Sequence, residues 1–221
     1  MILKVLERGK INYTVPVLTL DVIQVALKEP RKHPLAMGGL AKLEWNYFET
    51  PKLELCVTPE TDFEITKGMS VNSLGARAYE RFQKCQLFKS RPAGLTLSLT
   101  AYEADELWGG IRKILWSSVD DDQLTSNQRA DVSQLFFHTI AGSTMSNAAF
   151  LTIDRNFHEH QSEIERELGV SVLTPTEAWD RYHSAYGLYQ PTDAEIMALW
   201  NDQNRYLAQL HTEANAMATI L

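Results

Sequence analysis

The sequence predicts an α/β fold with a mainly parallel central sheet. Short apolar segments rich in β-branched residues alternate along the chain with longer segments whose apolar residues recur every three or four positions. The first short segment, residues 15–20 (VPVLTL), is apolar on both faces, which is typical of a strand buried inside a parallel sheet. Strands that alternate with helices in this way predict helices packed against the sheet.

The same pattern locates the individual elements. Besides residues 15–20, strands are predicted at residues 53–57, 95–99, 148–153 and 170–173. Helices are predicted at residues 22–27, 35–48, 72–91, 102–115, 126–142, 161–168 and 176–186, at a segment beginning near Pro59 and at a long segment from Thr192 onwards. Thr125 or Ser126 is expected to cap the helix that ends at Gly142, and Gly169 to close the helix before the last strand.

Composition and charge limit the classes of function. Of the 221 residues, 44% are hydrophobic and the formal net charge is −7. So acidic a chain should not bind nucleic acid through its whole surface, because that binding needs clustered Lys and Arg. A nucleic-acid role would therefore depend on a local basic patch or on metal ions.

The cysteines and the apolar segments indicate a soluble cytoplasmic protein. Cys56 and Cys85 are not spaced as a metal or redox motif, although the sequence does not exclude one disulfide between them. The N-terminal segment carries charges where a signal peptide needs apolar residues. The longest apolar segment, residues 15–27, is interrupted by Asp21 and Gln24 and is too short to cross a bilayer, so no membrane association is expected.

Four carboxylates fall where a parallel sheet binds its ligands, beyond the carboxyl ends of the strands. Asp21 and Asp154 each follow a predicted strand directly, whereas Glu64 and Asp131 lie early in predicted helices. Acids brought together in this way need a positive partner, and hard divalent cations such as Mg²⁺ or Mn²⁺ prefer oxygen ligands. The ordinary alternative for a single Asp after a strand is a helix N-cap or a turn residue, so the hypothesis depends on their joint placement.

These segments resemble the PIN-domain nucleases, a family that includes the toxin ribonucleases of bacterial toxin–antitoxin pairs. The likeness covers residues 14–182 in outline and is most specific over residues 129–179. Its motifs are VLTLDVIQVAL with Asp21, VTPETDFEI with Glu64, RADVSQLFFHTIA with Asp131, FLTIDRNF with Asp154, and the closing ELGVSVLTPTEAW.

The resemblance implies a three-layer α/β/α fold and metal-dependent hydrolysis of RNA. Asp21, Glu64, Asp131 and Asp154 would hold one or two Mg²⁺ or Mn²⁺ ions, and a metal-bound water would attack the phosphorus. An antitoxin-type protein would be a partner that fills the cleft. Compared with compact members of the family, the chain carries added structure around residues 68–125. We therefore expect a PIN-like domain over residues 1–187 and a C-terminal helical extension over residues 188–221.

Two departures from the family pattern support an alternative. Val22 and Ile23 follow Asp21, where the family usually has a small hydroxyl residue and then Asn or Ser. Asn156 stands where the family often keeps a further Asp, and an amide supplies no charge. The alternative is a PIN-fold RNA- or protein-binding module with impaired or lost nuclease activity.

Several other polar residues have both a functional and an ordinary interpretation. Thr152 could bond a neighbouring acid or water, or be a β-branched packing residue; Asn156 could replace a ligand oxygen or hold a water, or form a turn. His138 could line the cleft, but a structural histidine is the simpler interpretation, and residues 158–160 (HEH) are expected to be solvated surface. One face of the helix predicted at residues 72–91 carries Arg77, Arg81 and Lys84, which form a candidate contact surface for the phosphate backbone of a nucleic acid. The alternative is an ordinary solvated helix face.

A phosphotransfer protein is the other class with an Asp after a strand. The phosphatase pattern needs a second Asp two residues later, where this chain has Ile23. A receiver domain needs a Lys after a late strand, and the segment VSVLTP supplies none. We therefore discount this class. The helix from Thr192 could pack on its own domain or build a homodimer, because apolar spacing does not distinguish the two.

Overall fold

The computed structural model describes residues 16–20, 34–50, 52–56, 58, 99–142 and 147–198. Helices and strands alternate along them, as the sequence predicts. In chain order the elements are β1 (Val17–Leu20), α1 (Pro34–Glu49), β2 (Glu54–Cys56), α2 (Ala101–Leu115), α3 (Ser126–Gly142), β3 (Ala148–Leu151), α4 (Arg155–Glu159), α5 (Gln161–Leu168), β4 (Ser171–Leu173) and α6 (Pro175–Tyr186). A 3₁₀ turn at Asp121–Gln123 precedes α3, and residues 193–198 are helical.

The four described strands form one parallel sheet in the order β2-β1-β3-β4. Leu18, in the middle of β1, pairs with Leu55 of β2 on one side and with Ala149 of β3 on the other, and all three are fully buried. Helices pack on both faces of the sheet, which explains why the segment of β1 is largely apolar. The described residues thus form a mixed α/β structure on a small parallel sheet, which confirms the predicted class.

One face of the sheet is covered by α2, α3 and α5. Phe150 and Val172 project from β3 and β4 towards these helices, and the Phe150 ring lies 5.1 Å from the ring of Phe157 in α4. The helices contribute the rest of this core: Leu107, Ile111, Ile114, Leu115, Val132, Leu135, Ile164 and Leu168. On α3, Val132, Leu135, Phe136 and Ile140 recur every three or four positions, and all four lie in this core or pack against it. The 3.6-residue period of the sequence therefore marks the packing face of this helix.

The opposite face carries α1 and α6, which lie unusually close together at Gly39. A Cβ atom at Gly39 would come within 2.7 Å of the Pro175 carbonyl group and the Thr176 nitrogen. Farther along the pair, Lys42 Nζ lies 5.2 Å above the Trp179 ring, a cation–π contact. Glycine is required at this position because two backbones meet there.

A buried side chain on α1 also fixes the chain beyond α6. Asn46 is fully buried, its Oδ1 accepts from Tyr189 N at 2.8 Å, and its Nδ2 donates to Tyr189 O at 2.7 Å. Lys52 Nζ donates to Gly187 O at 2.6 Å. Leu188 and Ile196 are buried as well. The first residues of the predicted C-terminal extension therefore pack on α1, and residues 199–221 lie outside the described part of the chain.

The observed elements differ from the predicted ones mainly at their ends. The predicted strand at residues 148–153 stops at Leu151, because the Thr152 side chain bonds the backbone of Asp154 and turns the chain. Helix α4 was not predicted, since five residues are too few to show a helical period. The predicted helices at 22–27, near Pro59 and at 72–91 lie outside the described residues, as does the predicted strand at 95–99 apart from Leu99.

No helix in the described ranges is both long and apolar enough to cross a membrane.

The caps that end these helices are those expected from sequence. Gly169 adopts a left-handed conformation (φ 66°) after α5, and Thr125 forms a reciprocal pair of hydrogen bonds with Gln128 at the start of α3.

We expect Gly39→Ala to destabilise the protein by about 1–3 kcal/mol, because the new methyl group overlaps the backbone of α6. Gly38→Ala is the matched control: Gly38 is exposed, and a Cβ there has no atom within 4 Å. It should be neutral or stabilise the helix by up to about 1 kcal/mol. Urea unfolding of both variants measures the difference, and equal stabilities would contradict the close approach of α1 and α6.

Candidate functional site

The strand order creates a topological switch point beside β1. The chain passes from β1 to β2 on one side of the sheet, whereas β3 and β4 lie on the other side of β1. Right-handed crossovers in opposite directions place their helices on opposite faces, so the connections that leave β1 and β3 diverge. In open parallel sheets, ligands bind in the crevice outside the carboxyl ends of the strands at such a switch point. The carboxyl ends of β1 and β3 therefore define the candidate site.

Thr152, the first residue after β3, anchors the loop at this edge. It is fully buried, and its nitrogen donates to Leu173 O at 3.0 Å, which extends the contact with β4 by one residue. Its Oγ1 accepts from Asp154 N at 2.9 Å. Thr152 thus bonds the neighbouring acid, as one of its two interpretations proposed, but through the backbone of the acid and not through the carboxylate.

Asp154 is exposed at the edge and begins α4. Its Oδ1 accepts from Asn156 N at 2.8 Å, so the residue is the N-cap that the ordinary interpretation expected. Its Oδ2 accepts no hydrogen bond from the described residues. Capping therefore fixes the direction of the carboxylate and leaves one oxygen able to bind a cation or a water.

Asp131 lies in the N-terminal half of α3, the helix that leads into β3 and packs on it. The His138 ring is buried against Phe150, with the ring centroids 5.5 Å apart, and this contact aligns the helix with the strand. Because α3 leads into β3 through a short connection and packs on it, the two run in opposite directions. From this contact Asp131 lies about 10 Å along the helix, towards the end of α3 that is next to the carboxyl end of β3.

The direction of the Asp131 side chain follows from the same contact. Seven residues make about two helical turns, so Asp131 shares the face of α3 that His138 turns towards the sheet. Asp131 is partly buried. Two of the four predicted carboxylates thus belong to one edge of the sheet. His138 itself is a buried structural residue, which agrees with the simpler interpretation of it.

Asn156 is a helical residue and not a turn residue. It is the second residue of α4, and its backbone nitrogen occupies one oxygen of Asp154. Its Nδ2 is buried and has no hydrogen-bond partner in the described part of the chain. A neutral amide here adds no charge to the site.

Sequence reasoning missed two groups at this edge, Glu177 and His158. Glu177 belongs to the capping box of α6, where its Oε2 accepts from Thr174 N at 2.7 Å and from Thr174 Oγ1 at 2.9 Å. His158 is partly buried, and its Nε2 lies 2.9 Å from Thr152 O, so it is not simply solvated surface. The motif Thr174-Pro175-Thr176-Glu177 signals the capping box, but no sequence signal brings α6 near His158.

The electrostatics of Glu177 reflect both its cap and its neighbours. Burial raises the pKa of the Glu177 carboxyl. The hydrogen bonds from Thr174, together with the charges of the nearby His158 and Arg181, outweigh burial and hold the pKa below its ordinary value of 4.5. Glu177 is therefore a carboxylate at neutral pH, close enough to His158 for their charges to interact.

The remaining predicted residues lie outside the described ranges: Asp21, Glu64, Arg77, Arg81 and Lys84. Within those ranges, no group of three or more His, Cys, Asp or Glu side chains is placed to hold a metal ion. Of the four predicted ligands, only Asp131 and Asp154 lie within the described ranges. Their carboxylate oxygens are of the type that Mg²⁺ and Mn²⁺ prefer, and these ions keep water molecules in their remaining positions.

Comparison with known proteins returned no relative for this chain: no protein-family model, no curated protein and no solved structure matches it. The class that the geometry defines is an α/β protein with a parallel sheet. Its candidate site rests on the chain's own residues, namely the switch point beside β1 and the acids after β3 and on α3.

We expect Thr152→Val to lower the free energy of unfolding by about 1–3 kcal/mol, because Asp154 N loses its acceptor without a change of shape. Thr139→Val is the control: Thr139 is equally buried, but its hydroxyl donates to Leu135 O within α3. Loss of this hydroxyl leaves no backbone N–H without an acceptor. Urea unfolding should show a much smaller change for that variant. If both variants lost the same stability, the Thr152 hydroxyl would not anchor the loop.

The stabilisation from Glu177 should depend on pH. Its folded-state pKa is depressed, so the carboxylate stabilises the folded state above pH 4.5 and loses that effect as pH falls through the lower, folded value. Glu177→Gln should cost less than about 1 kcal/mol at neutral pH, because solvent screens this largely exposed group. The difference from the unsubstituted protein should narrow as pH falls below 4.5 and disappear below the lower, folded-state pKa.

The matched control for this experiment is Glu165→Gln. Glu165 is exposed in the last turn of α5, and its side chain forms no hydrogen bond with the described residues. Urea unfolding at several pH values should show no stability difference between Glu165→Gln and the unsubstituted protein that becomes smaller at acidic pH. A constant deficit of Glu177→Gln at every pH would show that the charge of Glu177 contributes nothing.

Proposed function

We propose that this protein is a metal-dependent endoribonuclease with a PIN-like three-layer α/β/α fold. The element order supports the proposal: Asp154 directly follows the loop after β3, and Asp131 lies in the N-terminal half of α3, the helix that leads into β3 beside the switch point. Asp21 follows β1 directly in the sequence, and Glu64 follows β2 by eight residues. In chain order, Asp21, Glu64 and Asp154 thus each follow a strand, and Asp131 lies in the N-terminal half of the helix that leads into β3.

The charges at this edge favour a cation between the protein and a phosphate. Asp131, Asp154 and Glu177 are acidic, and the whole chain carries a net charge of −7. RNA brings further negative charge, so the substrate would be repelled without a positive ion. Carboxylates that bind Mg²⁺ or Mn²⁺ through one or two oxygens, together with substrate phosphate, are the usual solution.

Each residue of the site then has a role that its contacts support. Asp154 would bind the ion through Oδ2, while the hydrogen bond from Asn156 N to Oδ1 keeps the carboxylate in one direction. Asp131 would bind it from α3, directly or through water. Thr152 holds the loop against β4. When bound, the ion supplies an activated water for attack on the phosphorus and offsets the charge that develops on the phosphate.

The proposed partners follow from the substrate and from the resemblance to the PIN family. RNA is the substrate, and the face of Arg77, Arg81 and Lys84 is the proposed contact for its phosphate backbone. An antitoxin-type protein that fills the cleft is the proposed regulator. The helix from Thr192 is the proposed surface for a homodimer.

The second candidate function is a PIN-fold module that binds RNA or protein with impaired or lost nuclease activity. Asn156 favours it, because this residue takes up one oxygen of Asp154 through its backbone and supplies no charge through its side chain. Such a module would bind metal weakly and keep its RNA or protein partner. Titration of the protein with Mn²⁺ by calorimetry separates the two candidates.

The nuclease proposal predicts RNA cleavage that requires Mg²⁺ or Mn²⁺. Asp154→Asn and Asp131→Asn should each reduce the rate by about 100-fold or more, beyond the 10–100-fold typical of residues that only support a ligand. Glu165→Gln removes one negative charge at the opposite edge, where α5 leads into the start of β4, and should cut RNA at the original rate. Gel analysis of a labelled RNA measures all three.

Two outcomes would count against the nuclease proposal. Intact RNA after long incubation with Mn²⁺ at high protein concentration would exclude it and leave the binding module. Cleavage that survives Asp154→Asn would place the catalytic site elsewhere in the molecule.

A further inference from the structure

His158 forms two hydrogen bonds around the residue proposed to bind the metal ion. Its backbone nitrogen donates to Asp154 O at 3.4 Å, and its ring Nε2 lies 2.9 Å from Thr152 O. A carbonyl oxygen only accepts, so Nε2 carries a proton and donates. This residue therefore holds the chain on both sides of Ile153, at the point where it leaves the sheet and enters α4.

The ring bond completes a closed set of contacts. Asp154 N donates to Thr152 Oγ1 at 2.9 Å, and Asp154 Oδ1 accepts from Asn156 N at 2.8 Å. The backbone of Thr152 and the backbone and carboxylate of Asp154 are thus each held by a separate bond. Such support is what keeps a metal-binding carboxylate in one direction, and its loss typically lowers metal affinity about 10–100-fold.

Without the imidazole, the Thr152 carbonyl would lose this partner at a fully buried residue. A buried carbonyl that loses a partner is costly, so the loop would rearrange to find another one. Asp154 is two residues away in the same loop, and any such rearrangement would change the direction of its carboxylate.

We propose that His158 is a positioning residue for Asp154: by donating from Nε2 to the Thr152 carbonyl, it fixes the loop that aims the free Asp154 oxygen at the cation. This inference rests on the proposed metal-dependent function of the site. Glu177, across the edge on α6, supports the arrangement because its negative charge attracts the imidazole.

The test compares three variants for Mn²⁺ affinity by calorimetry, with Mn²⁺ alone as the probe. His158→Ala should lose about 10–100-fold in affinity. His158→Gln should recover most of that loss, because its side-chain amide donates from about the position of the imidazole Nε2. His160→Ala is the control: this neighbouring ring forms no capping hydrogen bond with α5, and its removal should leave affinity unchanged.

A second measurement does not depend on metal. Amide hydrogen exchange at Asp154 and Asn156 should be faster in His158→Ala than in the unsubstituted protein and should return to normal in His158→Gln. Urea unfolding of each variant checks that the protein stays folded under the conditions of both experiments. A role in overall stability alone would change unfolding without changing exchange at these two amides relative to the rest of the chain.

The outcomes separate this inference from the function on which it rests. Normal exchange at Asp154 and Asn156 in His158→Ala would overturn it, as would a Gln variant that behaves like the Ala variant. Unchanged Mn²⁺ affinity in His158→Ala would overturn it too. If the unsubstituted protein binds no Mn²⁺ while exchange responds as expected, His158 does position the loop and the proposed function fails.

Discussion

The two-sided pairing of β1, in which Leu18 lies between Leu55 of β2 and Ala149 of β3, determines where a ligand can approach this sheet. The chain leaves β1 towards β2 on one side of the sheet and leaves β3 towards β4 on the other, and right-handed crossovers then place helices on both faces. The crevice between the carboxyl ends of β1 and β3 follows from that reversal. The positions of α3 and α6, and of the acids they carry, depend on the same arrangement.

The loop after β3 combines a structural role with the proposed chemical one. Asp154 caps α4 with one carboxylate oxygen and presents the other, so capping and metal binding do not compete for the same atom. Thr152 and His158 hold the loop from its buried side and from α4 respectively. Folding already fixes the direction of this carboxylate, before any ion binds. Such preorganisation is the usual means by which a site gains affinity for a cation.

Local structure was predictable because its signals lie within a few residues of one another. The reciprocal caps of Thr125 with Gln128 and of Thr174 with Glu177 join residues three positions apart, and they locate the starts of α3 and α6. Asp154 at the end of an apolar segment marked the candidate site. The sequence did not show that Thr152 leaves the sheet, because a β-branched residue is typical of a strand. Only the structure shows that its hydroxyl accepts a hydrogen bond from Asp154 N.

The sequence by itself determined the α/β class, the boundaries of most helices among the described residues and which acids follow strands, since these depend on side-chain period and on short-range hydrogen bonds. Only the tertiary structure decided the strand order, the approach of Gly39 to Pro175 and the contact of His138 with Phe150. These features join residues far apart in the chain. Their partners are selected by how whole helices and strands pack, and no local pattern encodes that choice.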